Sequence, residues 1–174
     1  MLDLASSSFN PEILYISDGY FDVNREVPSH YHDSIEISVI LEGPTCYYIN
    51  EKAHFVDTGD IIILNPYTSH YERQKEGKSH HMHLGLDNFQ FLGYDKNVIP
   101  VVSPIIKNTP SSTLNHIINR LLEEKNTVRP FQELTIKSLA AEFLAFILRE
   151  IAEQNLAICP LNQKDKDTTV LANS

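Results

Sequence analysis

The stretch that decides the fold is Ser29-His30-Tyr31-His32-Asp33-Ser34-Ile35-Glu36, followed by a glycine at position 43. His30 and His32 are two residues apart, and on an extended segment such residues face the same side. Glu36, four residues further on, keeps that parity. A second block follows downstream, with Gly59-Asp60, Pro66 and then His70 at the start of another run. Three imidazoles and a carboxylate converging inside a barrel would make a site for Fe, Mn, Ni or Zn, with positions left open for substrate.

Around these blocks the first hundred residues read as short strands broken by turn signals, the pattern of an all-β sandwich or barrel. Runs are expected at Glu12–Ser17 (ended by Asp18-Gly19), Tyr20–Asn24, Ile35–Leu41, Thr45–Ile49, His54–Val56, Ile61–Leu64, His70–Gln74 and His80–Leu86. Asn50–Ala53 reads as a hairpin loop, and Asn97–Pro104 as a last extended piece. The character changes near residue 110, since all six glycines precede it. Pro110-Ser111-Ser112 reads as a helix start with serine as N-cap. Leu114, Ile117, Ile118, Leu121 and Leu122 then form an amphipathic stripe that fades at Asn126-Thr127. A second helix is expected from about Pro130 to Gln154, with Leu139, Phe143, Phe146, Ile147 and Ile151 on one stripe and Leu144 and Leu148 beside it. An apolar face this wide suits contact with both its own domain and a second subunit, or a helix wedged into a monomer core. The expected units are a barrel with an N-terminal arm over 1–108, a helical hairpin over 109–158 and a polar tail over 159–174.

Composition sets the outer bounds. The chain has 174 residues with 42% apolar and 21% charged side chains, values that suit one globular domain. Net charge is −9, and all of it falls in residues 1–100, which carry 6 basic and 15 acidic side chains. Such an acidic body repels phosphate backbones, so direct nucleic-acid binding by this chain is not expected. No apolar run approaches the roughly 20 residues of a membrane helix. The N-terminus has no secretory character, and Cys46 and Cys159 have no metal-type spacing, so a cytoplasmic protein is expected.

His30, His32, Glu36 and Gly43 match the first motif of the cupin superfamily without a gap, and Gly59 and His70 match the second. Asn24 stands where a glycine usually precedes the first motif. In the second motif the proline is displaced to Pro66, and Tyr67 takes the place of a glycine. The chain more closely resembles the N-terminal effector-binding and dimerisation domain of AraC-type transcription regulators. The likeness rests on the block Pro28–Ile37 with Val39–Gly43, on Phe55–Pro66 followed by His70, and on the helical hairpin ending near Leu148-Arg149-Glu150.

This resemblance implies a mainly β, cupin-like (jelly-roll) barrel holding a small-molecule effector, followed by an α-helical hairpin that pairs two subunits into a homodimer. DNA binding would fall to helix-turn-helix units absent from this chain. The preferred reading is allosteric, with no catalytic residue and no cofactor. Effector-binding candidates are His30, His32, Glu36, His70, His81, His83 and Tyr48, and the pairing candidates are Leu139, Phe143, Phe146, Ile147 and Ile151. His81 and His83 share one strand face, which points either into the cavity or to solvent. A carbohydrate or another hydroxylated or anionic metabolite would suit such a pocket, and the arm Met1–Pro11 is the candidate moving element. The competing reading is a metal-dependent cupin enzyme, an isomerase or dioxygenase, using His30, His32, Glu36 and His70 as ligands. His54, His80 and His116 are expected at the surface.

Overall fold

A computed structural model of the protein describes residues 10–107 and 111–157. Eight strands precede two helices: β1 (Glu12–Phe21), β2 (Ile35–Glu42), β3 (Thr45–Ile49), β4 (Lys52–Val56), β5 (Ile61–Leu64), β6 (His70–Arg73), β7 (Ser79–Asp87), β8 (Ile105–Ile106), α1 (Ser112–Asn126) and α2 (Gln132–Glu153). The strands form a five-stranded sheet in the order β1-β7-β2-β5-β8 and a three-stranded sheet in the order β4-β3-β6. All pairings are antiparallel. The fold is therefore mainly β, a jelly-roll of the cupin type with a helical pair after it.

Alternation along the strands separates two interiors, because successive side chains point to opposite faces of a sheet. Ile35, Ile37 and Val39 of β2, Ile61 and Ile63 of β5, and Met82, Leu84 and Leu86 of β7 join one core with the helices. The intervening Ile40, Ile62 and Leu64, with Ile105, meet Tyr47, Ile49 and Val56 of the smaller sheet in a second core between the sheets. The run Ile61-Ile62-Ile63-Leu64 thus serves both cores.

The helices lie on the outer face of the larger sheet. Ser111 caps α1, its hydroxyl accepting from the backbone N–H groups of Thr113 and Leu114. Phe131 enters α2 with a left-handed backbone and no side-chain cap. Gln132 compensates across the turn, its amide donating to the carbonyls of Thr127 and Glu124. Leu139, Phe143, Phe146, Ile147 and Ile151 are all buried in the shared core, none more than 9% exposed. The assignment of these five to a subunit interface is therefore corrected. The chain's own sheet and α1 already cover them, so they offer no free surface to a second copy.

The strand reading needs three further corrections. Asp18-Gly19 does not end a strand: β1 runs on to Phe21 because its ladder with β7 continues through Gly19 opposite His81 and Tyr20 opposite His80. The final strand is Ile105–Ile106 against β5, while Asn97–Pro104 contributes a single antiparallel bridge, Val101 to Ala157. The hairpin turn tightens to Asn50-Glu51, both at positive φ, the backbone of a two-residue turn. Residues 1–9, most of the expected arm, and Cys159 with the polar tail lie outside the described residues.

The departures from the cupin pattern have a backbone explanation. Asn24 and Tyr67, which stand where glycines were expected, both adopt positive φ, at 68° and 62°. The left-handed conformation is kept at both positions although the residue is not glycine, and in Tyr67 it costs energy that a glycine would not. The Tyr67 N–H then donates to the His32 carbonyl at 2.7 Å, tying the second motif to the first. Gly43 is a position that requires glycine. Its φ is 79°, and an added Cβ would lie 2.2 Å from the Lys78 carbonyl oxygen.

Candidate functional site

The polar side of β2 faces the space between the sheets, and its centre is Glu36, 5% exposed. The Tyr15 hydroxyl on β1 donates to Glu36 Oε2 at 2.6 Å, and the Ser38 hydroxyl donates to Oε1 at 3.0 Å. Tyr15 reaches that far because its partner in the ladder is Gly85, where any Cβ would sit 2.2 Å from the tyrosine ring. His32 Nε2 lies 3.3 Å from Oε2, His83 Nδ1 3.5 Å from Oε1 and His70 Nε2 3.9 Å from Oε1. Ser38 also meets His83 Nδ1 at 2.9 Å. Burial opposes the charge on Glu36, but its neighbours His32, His83 and Tyr15 outweigh it and hold the carboxyl far below the ordinary carboxylate range. Burial likewise opposes charge on His83, and Glu36 with Glu72 overcomes it, raising the imidazole above its usual value. Burial, with Glu36 next to it, pushes the Tyr15 phenol well up, so Tyr15 stays a donor.

The three motif histidines do converge. Each of His30, His32 and His70 offers a ring nitrogen within 4.8 Å of the others, and an antiparallel bridge joins His30 to His70. His30 Nδ1 is bonded to the Pro28 carbonyl and His70 Nδ1 to the Thr68 carbonyl, both at 2.9 Å. That contact places the proton on Nδ1 and leaves Nε2 as the lone-pair nitrogen, the arrangement found behind metal-ligating histidines. His32 Nε2 and His70 Nε2 are buried without a hydrogen-bond partner; the 3.3 Å approach of His32 to Glu36 is not aligned as a hydrogen bond. A divalent metal therefore fits the three imidazoles, which would hold it and leave positions open for an oxygen ligand. Glu36 stands beside this set, already engaged with Tyr15 and Ser38.

His81 and His83, open to either face in sequence, point inward. His81 is fully buried, stacked on Phe21 at 4.5 Å, with Nδ1 3.5 Å from the Tyr47 hydroxyl. Burial, helped by neighbouring His83, His80 and Arg25, lowers its pKa to about 3. Tyr48 is not part of the cluster. Tyr47 takes the inward place on β3, so Tyr48 falls on the other face, where its ring stacks on Tyr71 at 4.4 Å. His80 is not free either, for its ring stacks on Tyr20 and meets Asp18 at 3.1 Å. His54 is half-buried, and His116 is exposed as expected.

Four residues at the centre escaped the sequence reading: Tyr15, Ser38, Tyr47 and Glu72. Ser38 and Glu72 could have been found from parity, since each lies two residues from a candidate on the same strand. Tyr15 and Tyr47 depend on pairing register, which no local pattern displays. Within the cluster, 30% of the His32 side chain and 14% of the His83 side chain stay exposed. Two clefts of about 540 and 380 Å³ lie elsewhere, where the helices meet the larger sheet. The second is bordered by Ile40, Gly59 and His80 on the barrel and by Leu114, Ile118 and Leu122 on α1.

A jelly-roll with a buried, partly unsatisfied polar cluster and a helical pair on its back defines a ligand-binding barrel. Residues 10–144 match the family model for the AraC-like ligand binding domain, and the chain belongs to that family. Over 56 residues it is 36% identical to the uncharacterised HTH-type transcriptional regulator YdeC of Bacillus subtilis (strain 168). That match covers 32% of this chain and 19% of the relative, so the chain spans only about a fifth of that protein's length. Among solved structures, a predicted oxalate decarboxylase from Thermotoga maritima has a TM-score of 0.41 at 18% identity, covering 42% of this chain and 66% of that one. A cupin 2 conserved barrel protein from Leptotrichia buccalis has a TM-score of 0.40 at 15% identity, covering 43% and 39%. The polyketide cyclase RemF from Streptomyces resistomycificus has a TM-score of 0.41 at 16% identity, covering 53% and 66%. At these scores and identities the likenesses say nothing of activity. Among the described residues no helix is long and apolar enough to cross a membrane.

Proposed function

We propose that this chain is the effector-sensing half of an AraC-type transcription regulator. A small molecule enters between the sheets and shifts the arrangement of helix-turn-helix units elsewhere in the parent protein. The observation that carries this is the buried cluster around Glu36. It gathers donors and acceptors from β1, β2, β6 and β7, several of them lacking partners, at a depth where a polar ligand would satisfy them. Two buried carboxylates, Glu36 and Glu72, disfavour an anionic effector and favour hydroxyl groups, so a carbohydrate or similar polyol is the preferred class. To regulate, the ligand must bind one arrangement of barrel and helices more tightly than the other. The cleft between β2 and α1 is the natural place for that difference to reach the helices.

Pairing of two copies belongs to the same reading. Along α2, Leu134 and Ala145 are exposed and Ala141 is half-buried, with Ser138 between them at heptad-like spacing. Sedimentation should show a dimer that Ala145→Glu splits, whereas monomer at tens of micromolar for the unaltered chain would remove this part. The sensing part is tested by thermal melting against a panel of sugars and polyols. One compound should raise the melting temperature of the wild-type chain and not that of Glu36→Gln. The second reading is a cupin enzyme with metal on His30, His32 and His70, favoured by the convergence of the three rings and by the lone-pair Nε2 atoms of His30 and His70. Turnover of a substrate by metal-loaded protein would decide for it.

A further inference from the structure

Behind the motif histidines lies a second set of ligand-type side chains that belongs to neither cupin motif. Glu72 on β6 and His81 and His83 on β7 each offer a donor atom within 4.8 Å of the other two. Glu72 is 4% exposed and His81 is fully buried. Glu72 Oε2 and His81 Nε2 both lack a hydrogen-bond partner. A buried unsatisfied polar group is costly, and two of them in one cluster are a poor arrangement unless something fills the gap. The His81 ring is already held on its other nitrogen, as metal ligands usually are, and His83 is fixed by its neighbours. Tyr47 meets His81 Nδ1 at 3.5 Å and Phe21 stacks on its face. Ser38 meets His83 Nδ1 at 2.9 Å, and Glu72 Oε1 lies 3.9 Å from the same nitrogen.

The geometry points to a second metal site, in which Glu72, His81 and His83 bind one divalent transition ion. Two imidazoles and a carboxylate with open positions suit Fe(II), Mn, Co or Zn rather than Ca or Mg, which prefer all-oxygen shells. His81 is held neutral by burial and so needs no deprotonation to ligate. Both imidazoles must ligate as neutral rings, so occupancy should fall on acidification. The site is independent of the sensing reading, because a sensor or an enzyme could contain it.

The test uses chelator-treated, tag-free protein and Co2+, whose visible bands report nitrogen and oxygen coordination. The variant His30→Ala/His70→Ala removes the motif histidines and should still take up one Co2+ per chain. Adding Glu72→Gln or His81→Gln to that background should weaken binding at least tenfold. No Co2+ bound by the double variant, or unchanged affinity after Glu72→Gln, would overturn the site. If a variant fails to fold by circular dichroism, NMR of the wild-type ring nitrogens under Zn2+ titration decides instead. A shift of His81 Nε2 supports the site. Zn2+ perturbing His30, His32 and His70 alone would refute it.

Discussion

The two sides of β2 are separated by a single peptide unit's rotation, yet they hold opposite kinds of chemistry. Ile35, Ile37 and Val39 point to the helices and meet only carbon. Glu36 and Ser38 point between the sheets and meet Tyr15, His83 and one another. β7 repeats the division, with Met82, Leu84 and Leu86 on one side and His81 and His83 on the other. The apolar side has no specific partners to lose, and its stability comes from close packing. The polar side depends on particular partners, and removal of one strands the rest.

The largest effect should come from the packed side. Phe143 is fully buried between sheet and hairpin, so Phe143→Ala should cost about 4 kcal/mol by urea unfolding. A loss below about 1 kcal/mol would mean that the helices are not part of the same core. On the polar side, Glu36→Gln keeps the shape and removes the charge that Tyr15, Ser38 and His83 share, for an expected loss of about 2–3 kcal/mol.

A pH profile distinguishes the faces more cleanly. Between pH 6.5 and about 3 the folded chain leaves His81 neutral while the unfolded chain protonates it. The unfolded state therefore binds more protons, and stability falls on acidification by about 1.4 kcal/mol per unit in that window. His70, also lowered by burial, adds in the same direction. In chelator, His81→Gln should flatten the slope between pH 6 and 5, while Phe143→Ala should shift the curve without changing its slope.

Gly85→Ala should cost about 1–3 kcal/mol, because the new methyl displaces the Tyr15 ring and breaks its bond to Glu36. In a Tyr15→Ala background the same change should be almost neutral, and a full cost there would show that the ring is not the obstacle. The smallest effect is expected at Tyr48→Ala, about 1 kcal/mol from the lost stack on Tyr71, with metal uptake and ligand-induced melting shifts unaltered.

Much of this was legible from residue types and spacing. The strands Thr45–Ile49 and Ile61–Leu64 and the Ser111 cap follow from local preference and turn chemistry, and the structure has them where the pattern places them. His30, His32 and His70 could be paired because both cupin motifs survive, even with Asn24 and Tyr67 in place of glycine. The wide face of α2 was visible as well, but not what covers it. A helix records how much apolar surface must be buried and is silent on whether the partner is a sheet of the same chain or another subunit. The pair Tyr47-Tyr48 is ambiguous in sequence for the same reason, since strand parity says that one of two adjacent tyrosines is inside and only the register says which.

Local chemistry, then, determined the element types, the alternation and the motif that brings three imidazoles together, since these depend on periods of two and 3.6 residues and on backbone preferences along the chain. Tertiary pairing decided that Tyr15 reaches Glu36 over Gly85, that Tyr47 faces His81, and that Glu72 joins His81 and His83 in a second buried set. Those meetings depend on the register between strands far apart in sequence. A shift of one residue would turn each of those side chains to the other face.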